Sequence, residues 1–107
     1  MTRMRQRTSK VYTRPAVQNP DEHALKAELL RQIAARLEAE ELTQTAAAER
    51  LGISQPDVSR MLSGNFRQFS VERLMRFLVT LGQEIEIRVR PAQTSRSKGA
   101  RITVTAA

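Results

Sequence analysis

Residues 43–64, TQTAAAERLGISQPDVSRMLSG, constrain this chain more than any other stretch, because they read as two short helices joined by a tight turn. Thr43 is a good N-cap for the alanine-rich run from Gln44 to Leu51, whose residues all favour or tolerate a helix. Gly52 interrupts that run where a tight turn needs positive φ, a conformation glycine adopts without a Cβ clash. Ser54 then opens a second helix, with Asp57 three residues on in an S-x-x-D capping pattern. Pro56 falls in the first turn, where its missing N–H costs no helical bond, so the Ser54 hydroxyl is expected to accept from the amide of Asp57. Ala47 and Ala48 permit a close helix crossing, and Leu51, Ile53, Val58 and Met61 supply the shared apolar seam.

The face of the second helix that this seam leaves exposed carries Gln55, Ser59 and Arg60. These side chains suit base edges: Gln pairs bidentately with adenine, Arg with guanine, and Ser bonds to either. A short helix with polar readers near its N-terminus, buttressed by another helix, is the helix-turn-helix arrangement of DNA-binding proteins. A plain helical hairpin would explain the apolar seam but not the SQPDVSRML segment in a chain of net charge +7.

Residues 43–64 resemble the Cro/C1-type (XRE) helix-turn-helix repressors. The wider stretch 26–91 is similar to one branch of that family, small regulators of the HigA kind that act as antitoxins to RelE/HigB-like toxins. GISQPDVSRML and FSVERLMRFLVTLG are its most specific pieces, and it covers about 66 of the 107 residues. The resemblance implies a mainly α, Cro/C1-repressor-like bundle that binds double-stranded DNA. It also implies that Asn65 and Arg67, just past the recognition helix, touch phosphate. Gln55 and Arg60 are the expected principal base readers, with Ser59 secondary and Pro56 offering an apolar contact such as a thymine methyl. Gln44 and Ser54 join Asn65 and Arg67 on phosphates, which set register without carrying sequence information. Many XRE proteins have a polar reader at the position of Pro56, so base reading is thinner here and DNA shape matters more.

A chain of 107 residues is expected to form one domain with a modest core, so oligomerisation is a plausible extra source of stability. It has no cysteine, hence no disulfide framework, which fits a reducing cytoplasm. No apolar run suggests a membrane span, and no apolar segment follows the basic N-terminus as a secretory signal would require. The cations are concentrated at the ends. Residues 1–18 and 88–107 each hold five Lys or Arg and no acid, so with +7 overall the middle carries −3. That distribution suits a polyanion contacted by the ends, although basic tails also serve solubility alone.

Residues 1–18 lack helical or strand periodicity and are expected to be a mobile basic segment, able to lie in a minor groove or along phosphates. The domain is then expected over 19–91. Asn19 or Asp21 caps a first helix of roughly five turns, with Leu25, Leu29, Leu30, Ile33 and Leu37 as its apolar face. Lys26, Arg31, Arg36 and Glu38 are placed on the other side, and Glu38, Glu40 and Glu41 read as a solvated acidic face. His23, the only histidine, is expected to be exposed and has no neighbours at metal-ligand spacing. Phe66 and Phe69 are expected to plug the core beneath the loop that follows the second short helix. Ser70 caps a last helix that buries Val71, Leu74, Met75, Leu78 and Leu81 and ends at Gly82 in a C′ position.

At residues 84–90, EIEIRVR, the pattern switches to strict alternation, with Ile85, Ile87 and Val89 on one side of an expected half-buried strand. A lone strand leaves its backbone unpaired. It can pair with residues 101–105 (RITVT) within the basic tail 92–107, or with its own copy in a second subunit about a two-fold axis. Inter-subunit pairing is preferred, because an isolated two-stranded hairpin is marginal.

Three function classes follow: a dimeric repressor that is also an antitoxin, a stand-alone XRE-type regulator, and an interaction module that has lost DNA binding. An acidic replacement of Gln55 or Arg60 would have favoured the last, and neither is present. With no cysteine, one histidine and no Gly-rich phosphate loop, nothing offers a nucleophile–base pair, so no enzyme activity, metal or cofactor is expected.

Overall fold

The computed structural model describes residues 20–92 and 102–106. Four helices follow one another: α1 (Pro20–Ala39), α2 (Gln44–Leu51), α3 (Gln55–Leu62) and α4 (Val71–Thr80). α1 packs chiefly against α4 and α2 chiefly against α3, so the two short helices form one unit braced by the two longer ones.

Helices α2, α3 and α4 each begin where local chemistry places them. The Thr43 hydroxyl accepts from the Ala46 amide at 3.0 Å, the Ser54 hydroxyl from Asp57 at 3.1 Å and the Ser70 hydroxyl from Arg73 at 3.0 Å. Each cap satisfies one of the backbone donors that a helix start leaves without an intrahelical partner. Pro20 occupies the first helical position, which suits its fixed φ and missing N–H, and Asp21 lies within the first turn rather than capping it. The alternative cap, Asn19, lies outside the described residues.

The core draws one face from every helix. Ile33, Val58, Met61, Phe69 and Leu74 are fully enclosed, and Leu29, Leu30, Leu37, Ala47, Ala48, Leu51 and Phe66 are also buried. The α4 stripe holds for Leu74, Leu78 and Leu81, while Val71 and Met75 are half-buried and Phe77 joins the buried set. Phe77 meets Phe69 edge-on, with ring centroids 6.0 Å apart, and the Arg73 guanidinium lies over both rings at 5.5 and 5.1 Å. Gly82 has φ 88°, and its amide donates to the Val79 carbonyl at 2.9 Å, which stops α4 where the glycine was expected to.

Two charged residues depart from the sequence reading. Lys26 is buried: Nζ pairs with Glu22 at 3.4 Å and also donates to the Arg67 carbonyl at 3.3 Å. Glu40 is half-buried rather than solvated. Its carboxylate accepts from Arg36 at 3.1 Å and from both Arg50 terminal nitrogens at 3.2 and 3.3 Å. Those hydrogen bonds, Arg36's first, hold the Glu40 carboxyl below its ordinary range. This three-residue knot closes the α1–α2 turn, where Glu41 takes a left-handed φ of 55°.

The expected strand is not formed: among the described residues there is no strand. Ile85 packs against the helical core, but Ile87 and Val89 are 72% and 92% exposed. The four helices already fill the core, so the alternating pattern of residues 84–90 finds no sheet to join within one chain. Residues 102–106 likewise form no hairpin with it, although Val104 touches the core, and Arg101 lies outside the described residues.

Candidate nucleic-acid interface

The turn between α2 and α3 fixes how the second helix is presented. Gly52 sits in the left-handed region at φ 74°, and the Ala48 carbonyl accepts from both Gly52, at 2.8 Å, and Ile53, at 3.1 Å. This is the glycine-dependent helix stop anticipated from sequence. It lets the N-cap of α3, Ser54, follow two residues later, with Ala47 and Ala48 buried where the paired helices pack.

α3 is split cleanly by burial. Val58 and Met61 have no exposed surface, whereas Gln55, Pro56, Ser59 and Arg60 are all exposed. Gln55 and Ser59 are four residues apart, as are Pro56 and Arg60, so the four form two adjacent rows over the first turns of one helix. Their chemistry is varied within a small area: an amide, a hydroxyl, an apolar ring and a guanidinium.

The four residues expected on phosphates are likewise exposed. Gln44 is the first residue of α2. The Ser54 hydroxyl oxygen accepts from the Asp57 amide, which leaves its O–H as a donor. Asn65 turns the chain back on α3, its amide donating to the Arg60 carbonyl at 2.9 Å. Arg67 follows in a loop anchored from beneath by Phe66 and Phe69 and from α1 by Lys26. Ile85, Ile87 and Val89 belong to the segment after α4 and are not part of the α2–α3 unit. The basic segment at residues 1–18 lies outside the described residues.

Two contributors were not read from sequence. Lys26 is three residues before Leu29 and four before Leu30, a spacing that could have placed its stem on the buried face. Asp57 was read only as part of a cap, yet its carboxylate accepts from Arg60 Nη1 at 2.6 Å. Its i,i+3 spacing was the available signal.

His23 is exposed, and its ring lies 5.1 Å from that of Phe66 in a tilted contact. Among the described residues no three His, Cys, Asp or Glu side chains are grouped so as to hold a metal ion. None of the described helices is long and apolar enough to cross a membrane.

Residues 11–90 match a family model described as a helix-turn-helix domain. A solved structure described as an XRE-family transcriptional regulator is similar over 84% of this chain and all of its own, with 42% identity and a TM-score of 0.76. No curated protein matches. An exposed polar face on a short, capped helix, the glycine turn before it, and these two agreements lead to one identification: the chain belongs to the XRE family of helix-turn-helix, DNA-binding transcriptional regulators, a family of regulators and not of enzymes.

Proposed function

We propose that this regulator is a sequence-specific repressor that binds a palindromic operator in its own promoter as a homodimer and neutralises a RelE/HigB-like toxin. The observation that carries the DNA-reading half is the division of α3, with Val58 and Met61 enclosed and Gln55, Pro56, Ser59 and Arg60 presented outward. Gln55 and Arg60 read bases, Ser59 assists, and Pro56 makes an apolar contact with a thymine methyl. Gln44, Ser54, Asn65 and Arg67 hold phosphates on either side of the reading helix.

The dimer forms through residues 84–90, whose backbones pair about a two-fold axis. Two observations support this: the strict alternation of the segment, and the exposure of Ile87 and Val89 in the single chain. Pairing would cover those side chains and satisfy backbone groups together. Two reading helices then face half-sites about one helical turn, roughly 34 Å, apart. The antitoxin role rests on the resemblance of residues 26–91 to HigA-like proteins.

A gel-shift titration with duplex from the region upstream of the gene tests the repressor half. A retarded complex that survives excess unrelated duplex, with protection on one face of DNA over two half-sites, supports it; competition by any duplex refutes it. Co-expression with the small reading frame beside the gene tests the other half. Growth arrest by that neighbour, relieved by this protein, supports the antitoxin role. A verified neighbour that leaves growth unaffected reduces the protein to a stand-alone regulator.

A further inference from the structure

We infer that Asp57 is a specificity-determining residue: its carboxylate holds the Arg60 guanidinium in the orientation that reads a base and keeps it off phosphates. This rests on the proposal that α3 reads DNA. Arg60 Nη1 donates to Asp57 Oδ1 at 2.6 Å, a short charge-assisted bond between the exposed Arg60 and the half-buried Asp57.

Two simpler roles do not account for the pair. The cap of α3 is made by the Ser54 hydroxyl with the Asp57 backbone amide, so the cap itself does not use the carboxylate. Nor is stability a sufficient reason, because the Arg60 side chain is 48% exposed and ion pairs in such settings add little.

The pair does have consequences for recognition. A guanidinium carries five N–H donors in a rigid fork. With one terminal nitrogen tied to Asp57, the remaining donors stay available for a bidentate contact with guanine O6 and N7. Unrestrained, the same long side chain would reach whichever phosphate is nearest and bind every sequence alike. The Asp57 carboxylate acts against that twice: it restrains the guanidinium, and its own charge repels phosphate that approaches α3 closely. Asp57 therefore lowers affinity for unrelated DNA more than affinity for the operator. It is a positioning residue acting through Arg60.

The test uses the full chain, wild type and Asp57→Asn, with a randomised duplex library for base preference. Anisotropy titrations then compare the selected duplex with a shuffled one over a range of salt. Arg60→Ala marks which base position Arg60 reads. The expected result is that Asp57→Asn broadens preference at that same position and lowers the ratio of selected to shuffled affinity about tenfold, chiefly by tighter binding to the shuffled duplex. A folded Asp57→Asn protein with the wild-type preference and ratio overturns the role of Asp57 alone. A wild-type protein that selects no sequence overturns this role and the base-reading proposal together. Circular dichroism of each variant separates either result from unfolding, and Asp57→Ala, which leaves no hydrogen-bonding group behind, must broaden the same position if the inference is right.

Discussion

The geometry of the α2–α3 turn makes Gly52→Ala a sharp test of how the reading helix is held. Gly52 sits at φ 74°, and a Cβ built there would have nothing within 4 Å. The substitution therefore incurs the left-handed backbone penalty without a steric one. That penalty is about 1–2 kcal/mol for an L-residue. Reduced freedom of the unfolded chain returns about 0.4–1 kcal/mol. The net loss should be about 1 kcal/mol, which for a domain of this size lowers Tm by about 4–8 °C. Gly52→Asn should cost less, because asparagine tolerates the left-handed region better. Urea and thermal unfolding followed by circular dichroism measure the loss. DNA affinity at a temperature where both variants are folded should be unchanged, since the bonds from Gly52 and Ile53 to the Ala48 carbonyl do not involve a side chain. A loss beyond about 3 kcal/mol would mean that a Cβ meets packed atoms, and no loss would mean that the backbone is not left-handed; either result refutes the reasoning.

Three further outcomes are expected. The Glu40 carboxyl titrates below its ordinary value because Arg36 and Arg50 bond to its charged form, so its stabilising contribution is present above the unfolded value near 4.5 and is lost as pH falls through the lower folded value. Glu40→Gln should flatten the urea midpoint against pH in that acidic window, and parallel curves for variant and wild type would count against the Arg36–Glu40–Arg50 knot. Replacing Ile87 and Val89 by Asp should leave the helical content seen by circular dichroism unchanged while converting dimer to monomer in light scattering and removing the concentration dependence of Tm, because both side chains are exposed in the single chain. A dimer that survives both changes places the interface elsewhere. Arg60→Ala should cost about 1–3 kcal/mol at the operator and relax preference at one base position, read by anisotropy with a panel of single-base variants.

What could be read from the sequence was whatever depends on neighbours along the chain. Thr43, Ser54 and Ser70 cap their helices because each bond closes within three residues. The same locality explains Gly52 and Gly82. Helical spacing found most of the buried set, Leu29, Leu30, Ile33, Leu37, Leu74, Leu78 and Leu81 among it, but put Val71 and Met75 too deep and passed over Phe77; the outward face of α3 is what that spacing leaves over. Long side chains were harder, because periodicity places a Cβ but not the end of a flexible stem. Lys26 reaches across to the Arg67 carbonyl, forty-one residues away in sequence, and Glu40 reaches Arg50 across the turn. Residues 84–90 were only half legible, for a different reason. Alternation describes a strand only when a partner strand exists, and the single chain supplies none among its described residues.

The assignment of α3 to base reading is tested most directly by selection from a randomised duplex library with the wild type and with Gln55→Ala/Ser59→Ala/Arg60→Ala. All three side chains are exposed, so the triple variant should stay folded. The wild type should recover a motif of two inverted half-sites, and the triple variant should bind DNA weakly and recover no motif. Recovery of the same motif by the folded triple variant would contradict the assignment and move sequence recognition away from α3.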